Sequence, residues 1–223
     1  MIIQPLSQRD PSLAGIKLGT SNVTIWDYGC ALTDMTMLIN FLSGKNYSVA
    51  EINNMLIDGK GYAEGNLMWW TKIPDIFPYL KFMWRGWNYE NTSVADYVYN
   101  RKIPVIVQVD AAPIGSPRSD HYVLYIGDGK LADPWDGKIK ATSFYPNPKG
   151  YILYEFDKSK LPAAPIETIE QLKQTISDLQ ATEKRLREEW IKKEADMRKE
   201  CQNKLDEQKG QIREKIVTFS RTI

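Results

Sequence analysis

A thiol at Cys30, an imidazole at His121 and a carboxylate at Asp133 are the side chains of this 223-residue chain that together support acyl transfer. The chain holds two cysteines and one histidine, and the second cysteine, Cys201, lies in a charged C-terminal segment. Cys30 with His121 is therefore the Cys–His pair to consider. A thiol attacks well only as a thiolate, and the amino end of a helix stabilises one through its unpaired N–H groups and dipole. Cys30 stands at such a place: "WDYG" precedes it and "ALTDMTMLINFL" follows with helical spacing. The nucleophile needs a base. His121 opens the apolar run "HYVLYIG" after the polar stretch "AAPIGSPRSD". A third group should fix the imidazole tautomer. Asp133 ends "KLAD", and a hairpin pairing 121–127 with 130–133 brings it beside His121. Taken singly, each has a structural explanation: a small buried thiol, a strand-end histidine, an Asp-Pro turn. Their order and spacing make the catalytic reading.

The elements that hold these residues are predicted as follows. A helix spans 30–43. "SVAEINNML" opens a second, with Ser48 and Glu51 as a capping box. "NLMWWTKIPDIF" suggests a third ending near Pro78, and "TSVADYVYNRK" a short fourth. Strands follow at 104–109, 121–127, 130–133 and 150–156, with Gly127-Asp128-Gly129 as a hairpin turn. Helices first and an antiparallel sheet second is an α+β order. Composition changes near "LPAAPIETIE": the chain before it is rich in Gly, Pro, Trp and Tyr, and the segment after it has one glycine and no proline. The expected organisation is a body over 1–160, a Pro-containing linker over 161–165, and a tail over 166–223. In the tail Ile169, Leu172, Ile176, Leu179, Leu186 and Trp190 step by threes and fours. After a phase shift through Met197 and Cys201, Leu205, Gln208, Ile212 and Ile216 resume the seam, with Glu183 and Lys193 among the polar interruptions. This is a coiled-coil pattern with a stutter, and its stripe needs a partner.

Hydrophobic residues make up 43% of the chain and the net charge is +1. Bulk electrostatics thus point to neither nucleic acid nor an anionic membrane. The start "MIIQPLSQRDPSLAG" lacks signal-peptide character, and no apolar run reaches membrane-spanning length. A cytoplasmic or particle-assembled protein with free thiols is expected. No cluster has metal-ligand spacing and no cofactor is expected. "MWW" and "MWRGW" read as core and cleft wall, with a sugar-stacking surface as the alternative.

The segments "SQRDPSLAG", "YGCALTDMTMLINFL", "KIPVIVQV" and "DHYVLYIGDGKLADPW" resemble the papain-like cysteine peptidases of the double-glycine, bacteriocin-processing type. The likeness covers about residues 4–156. It implies a papain-like body with Cys30 as nucleophile, His121 as base and acid, and Asp133 as the orienting residue. It further implies Gln8 as oxyanion donor beside the backbone N–H of Cys30, with Gln4 as the alternative. Asp34, one turn after Cys30, departs from the pattern, since a carboxylate there opposes a thiolate. No transporter domain accompanies the body. The expected function is a thiol hydrolase that cleaves a peptide or isopeptide bond in a peptide or protein substrate. The coiled coil would tether it by self-association or to a larger assembly. A structural component of a virion, tail or surface assembly and a peptidoglycan-cleaving hydrolase are the alternatives.

Overall fold

The structure is a computed structural model, and it describes residues 1–86, 94–116, 119–162 and 166–220. By chain contacts it divides into two units, Met1–Leu161 and Pro162–Ile223.

The first unit begins with an irregular segment and the helical turn α1 (Ile25–Tyr28). It continues with α2 (Cys30–Ser43) and α3 (Val49–Asp58). Residues 32–39 of α2 are buried on every side, which makes it a central helix rather than a surface one. It ends where Gly44 adopts a left-handed conformation at φ 68°. The capping box of α3 is formed: Glu51 N–H donates to Ser48 Oγ at 3.2 Å, and Ser48 N–H donates to Glu51 Oε2 at 2.7 Å.

The stretch expected as a third helix is divided. β1 (Tyr62–Ala63) and β2 (Leu67–Met68) form a small hairpin. A 3₁₀ turn over Trp70–Lys72 then leads into the single turn α4 (Ile73–Ile76). Pro74 explains the outcome, because it is tolerated in a helix's first turn and forbids the residues before it from continuing one. The strand β3 (Leu80–Gly86), not foreseen, comes next. The expected fourth helix is a five-residue π turn over Asp96–Asn100, and its expected start at 92–93 lies outside the described residues.

The remaining strands are β4 (Val105–Asp110), β5 (Asp120–Gly127), β6 (Lys130–Asp133), β7 (Lys138–Ala141) and β8 (Gly150–Phe156). With β3 they form one antiparallel sheet in the order β3-β8-β4-β5-β6-β7. The expected turn joins β5 and β6, with Asp128 at φ 53° and Gly129 at φ 66°, the left-handed pair that a tight hairpin requires. α2 packs against β5, so Leu38, Ile39, Ile106, Val123 and Leu124 share one core. The fold class is thus α+β, as the element order indicated.

The second unit is one helix, α5 (Ile166–Ser220). Residues 163–165 of the expected linker lie outside the described residues, as do the α5 side chains at 166–168, 211 and 214–220. The seam position Ile216 is among these. No helix among the described residues is long and apolar enough to cross a membrane.

Candidate active site

Three devices place Cys30. Thr24 caps α1, its Oγ1 accepting from Asp27 N–H at 3.2 Å. Gly29 N–H then closes that turn on the Ile25 carbonyl at 2.7 Å. Gly29 is needed for proximity and not for its backbone angles. A Cβ there would lie 2.5 Å from both the Ile25 oxygen and its Cγ2, while φ is an ordinary −82°. The chain turns at Gly29 and restarts as α2 with Cys30 as the first helical residue. Its half-buried thiol receives the backbone N–H groups of Ala31 and Tyr122.

His121 lies on β5 opposite Val109, and its ring Nε2 is 2.8 Å from Asp133 Oδ1. Nδ1 is left to the thiol, with which the ring is in hydrogen-bonding reach. Asp133 is fully buried and collects donors from four directions. Besides His121 they are Trp135 N–H at 2.8 Å, Tyr145 O–H at 2.6 Å and Lys140 Nζ at 2.7 Å. So buried a carboxylate stays ionised only when paired in this way. Burial pushes the Asp133 carboxyl up, but His121, Lys140 and Tyr145 pull it well below the ordinary range. Burial likewise lowers His121, but Asp133 and Cys30 outweigh it and raise the ring to about 9. For Cys30, burial raises the thiol, and the hydrogen bond and charge of His121 with the two backbone donors bring it below its usual value. Both shifts favour the thiolate–imidazolium form of the pair over the neutral one.

Gln8 is 1% exposed and lines the same cleft as Cys30, His121 and Trp135. Its backbone N–H donates to the Pro134 carbonyl at 2.7 Å, which ties the N-terminal segment to the loop that follows Asp133. Its Nε2 donates to the Trp26 carbonyl at 3.0 Å. A carboxamide nitrogen carries two N–H groups, so one remains for a ligand. Gln4 is exposed and lines a different depression, with Ile2 and Phe41, away from the cleft.

Asp34 resolves differently from its sequence reading. It is fully buried, and neither carboxyl oxygen has a hydrogen-bond partner among the described residues. Burial, and then the charges of Cys30 and Asp133, raise its pKa well above the ordinary carboxyl value. A carboxyl in that environment is neutral, so it does not oppose the thiolate.

The cleft has a volume of about 250 Å³. Trp70 is buried in its wall. Trp135 meets the His121 ring edge to face at 6.2 Å, and the Arg9 guanidinium stacks on it at 3.4 Å. Trp69 and Trp84 are exposed, and Trp87 lies outside the described residues. Sequence reasoning passed over Lys140 and Tyr145. Asp136-Gly137, a hairpin signal directly after Asp133, is the clue that would have exposed β7 and with it Lys140. No protein-family model matches the chain, and no curated protein or solved structure shows significant similarity to it.

Proposed function

We propose that the first unit is a cysteine hydrolase with a papain-like arrangement, cleaving a peptide or isopeptide bond through a thioester on Cys30. The observation that carries this reading is the convergence of Cys30, His121 and Gln8 on one cleft, with a buried, four-fold hydrogen-bonded Asp133 behind the imidazole. In the proposed reaction the Cys30 thiolate attacks the scissile carbonyl carbon, whose oxygen takes the negative charge. Gln8 Nε2–H and the Cys30 backbone N–H stabilise that oxyanion. The imidazolium gives its Nδ1 proton to the leaving nitrogen as the C–N bond breaks. Water then attacks the thioester, His121 takes one of its protons, and the acid product leaves as the C–S bond breaks, regenerating the thiolate–imidazolium pair. Asp133 keeps the ring oriented and its charge compensated throughout.

The test is selective alkylation in a Cys201→Ser background, read by intact mass. Cys30 should react with iodoacetamide at pH 6.5 far faster than a free thiol of ordinary pKa, and His121→Ala should remove that excess. Reaction at the rate of an unperturbed thiol rejects the hydrolase reading.

The second unit we assign to self-association. Leu172, Ile176, Leu179, Leu186, Trp190, Met197 and Leu205 are all exposed along one unbroken helix. Burying such a side chain stabilises by about 1.5–3 kcal/mol, which favours a matching helix from a second copy. The 13 basic and 12 acidic residues of 166–223 leave that pairing without net repulsion. Sedimentation of the full chain against a chain ending at Leu161 checks it, and a monomeric full chain refutes it.

A further inference from the structure

Arg85 lines the same cleft as Cys30, from the edge strand β3. Its position depends on an irregularity. β3 pairs with β8 as Phe82↔Tyr154 and then Trp84↔Leu153 and Arg85↔Ile152, so one extra residue is inserted between Phe82 and Trp84. Residues three apart on a regular strand point to opposite faces. Here Phe82 and Arg85 oppose Tyr154 and Ile152, which share a face of β8, so the bulge brings Arg85 to the face that carries the cleft. The guanidinium lies 5.9 Å from the centre of the buried Trp70 ring and within hydrogen-bonding reach of the Tyr122 hydroxyl, one residue after His121.

These contacts fix the guanidinium in the cleft wall, while Arg85 as a residue stays exposed. Among the described residues no carboxylate pairs with it: the ion pairs of the first unit engage Lys72, Lys81, Arg101, His121, Lys140, Lys149 and Lys160. Among the described residues that line the cleft the one acidic side chain, Asp120, is answered by Lys149 at 3.1 Å. Much of the remaining wall is apolar, including Leu18, Leu67, Met68 and Ile114. A pre-positioned guanidinium with no carboxylate partner among the described residues, in a largely apolar cleft, is a carboxylate receptor, since its planar fork matches two carboxylate oxygens.

We infer that Arg85 is a specificity determinant that holds a carboxylate of the substrate while Cys30 attacks a neighbouring carbonyl. The substrate class is a peptide that carries an acidic side chain or a free terminal carboxylate near the scissile bond. This inference rests on the hydrolase reading of the cleft, and its test separates the two.

The test compares two disulfide reagents on the Cys201→Ser chain: the dianionic 5,5′-dithiobis(2-nitrobenzoate) and the uncharged 4,4′-dithiodipyridine. With Arg85→Gln the anionic reagent should slow roughly 3- to 10-fold, the scale of one exposed charge pair, while the neutral reagent changes less than about two-fold. Arg85→Lys should recover part of the anionic rate, and raising the salt should narrow the gap between original and Gln variant. Protection of Cys30 from iodoacetamide then distinguishes the source of the carboxylate. One short peptide carries Glu and an amidated end, and the other carries Gln and a free carboxyl end; the one that protects better identifies the group held. Equal anionic rates in the original and the Gln variant, with Cys30 still fast toward the neutral reagent, overturn the role of Arg85 alone. A Cys30 slow toward both reagents in the original chain overturns the hydrolase reading instead.

Discussion

Residues 1–161 and 162–223 both carry leucine, isoleucine and tryptophan, and the two units use them in opposite ways. In the first, Leu32, Leu38, Ile52, Ile106 and Leu124 are essentially inaccessible to water and share one core. In the second, Leu186 is 55% and Trp190 63% exposed. Among the described residues the buried ion pairs belong to the first unit. Lys140 to Asp133 in the first unit is a buried contact at 2.7 Å. Glu194 to Arg198 and Glu200 to Lys204 on α5 are exposed neighbours one turn apart, each worth about 0.3–0.5 kcal/mol. The first unit thus buries most of its apolar side chains in its own core and pairs the buried Asp133 carboxylate internally. The second is specified only as a helix, and its stripe leaves the energetic decision to another surface.

The sharpest way to break this contrast is at the buried network. His121→Ala should lower turnover by about 10²–10⁴-fold, because the chain has no second imidazole to carry the proton. The fold should survive, since Asp133 keeps Lys140, Tyr145 and the Trp135 amide. Circular dichroism and a single-turnover assay check the two halves of that statement. The alkaline limb of the acylation rate should fall with an apparent midpoint near 9, where the imidazolium is lost. The sign for stability agrees. His121 has a raised pKa in the folded state, so its contribution is complete below about 6.5 and disappears as pH climbs through about 9.

Next in size, Ile106→Ala on a central strand should cost about 2–5 kcal/mol in denaturant unfolding. Leu186→Ala should leave that transition unchanged and instead weaken association measured by sedimentation. An equal loss of first-unit stability from both changes would erase the distinction between the units.

Asp34→Asn should be smaller, a gain of about 1–3 kcal/mol at alkaline pH. A carboxyl with a raised folded-state pKa binds its proton more tightly in the native chain, so stability falls as pH rises past the ordinary carboxyl range. The gain from Asn should accordingly grow with pH, and thermal melts at pH 5 and pH 8 would show it. Cys30 alkylation should change by less than about three-fold, since a neutral group replaces a neutral group.

Local signals carried far in this chain. Ser48 with Glu51, the helical spacing after Cys30 and the Asp128-Gly129 turn are short-range features, and each is found where the sequence placed it. The His121–Asp133 contact was also legible, because a two-residue hairpin sets the pairing of β5 with β6. β3 was not legible, since its bulge breaks the alternation that marks a strand. Asn66 to Phe77 read as one helix because apolar spacing alone does not distinguish a helix from a short strand, a 3₁₀ turn and a proline-started turn in succession. The neutral state of Asp34 was illegible for a different reason: it depends on burial from every side, which no neighbouring residue in the chain reports.

The position of β8 has a temporal consequence. It lies between β3 and β4, yet it is the last strand of the first unit to be synthesised. Until residues 150–156 leave the ribosome, β3 has no neighbour and β4 has one open edge. Such an unfilled edge is a site for mispairing with other chains. Cys30 is made early, but the sheet that carries His121 closes some 120 residues later. A nascent or truncated chain thus holds the Cys30 thiol long before the sheet that sets His121 and Asp133 beside it is complete.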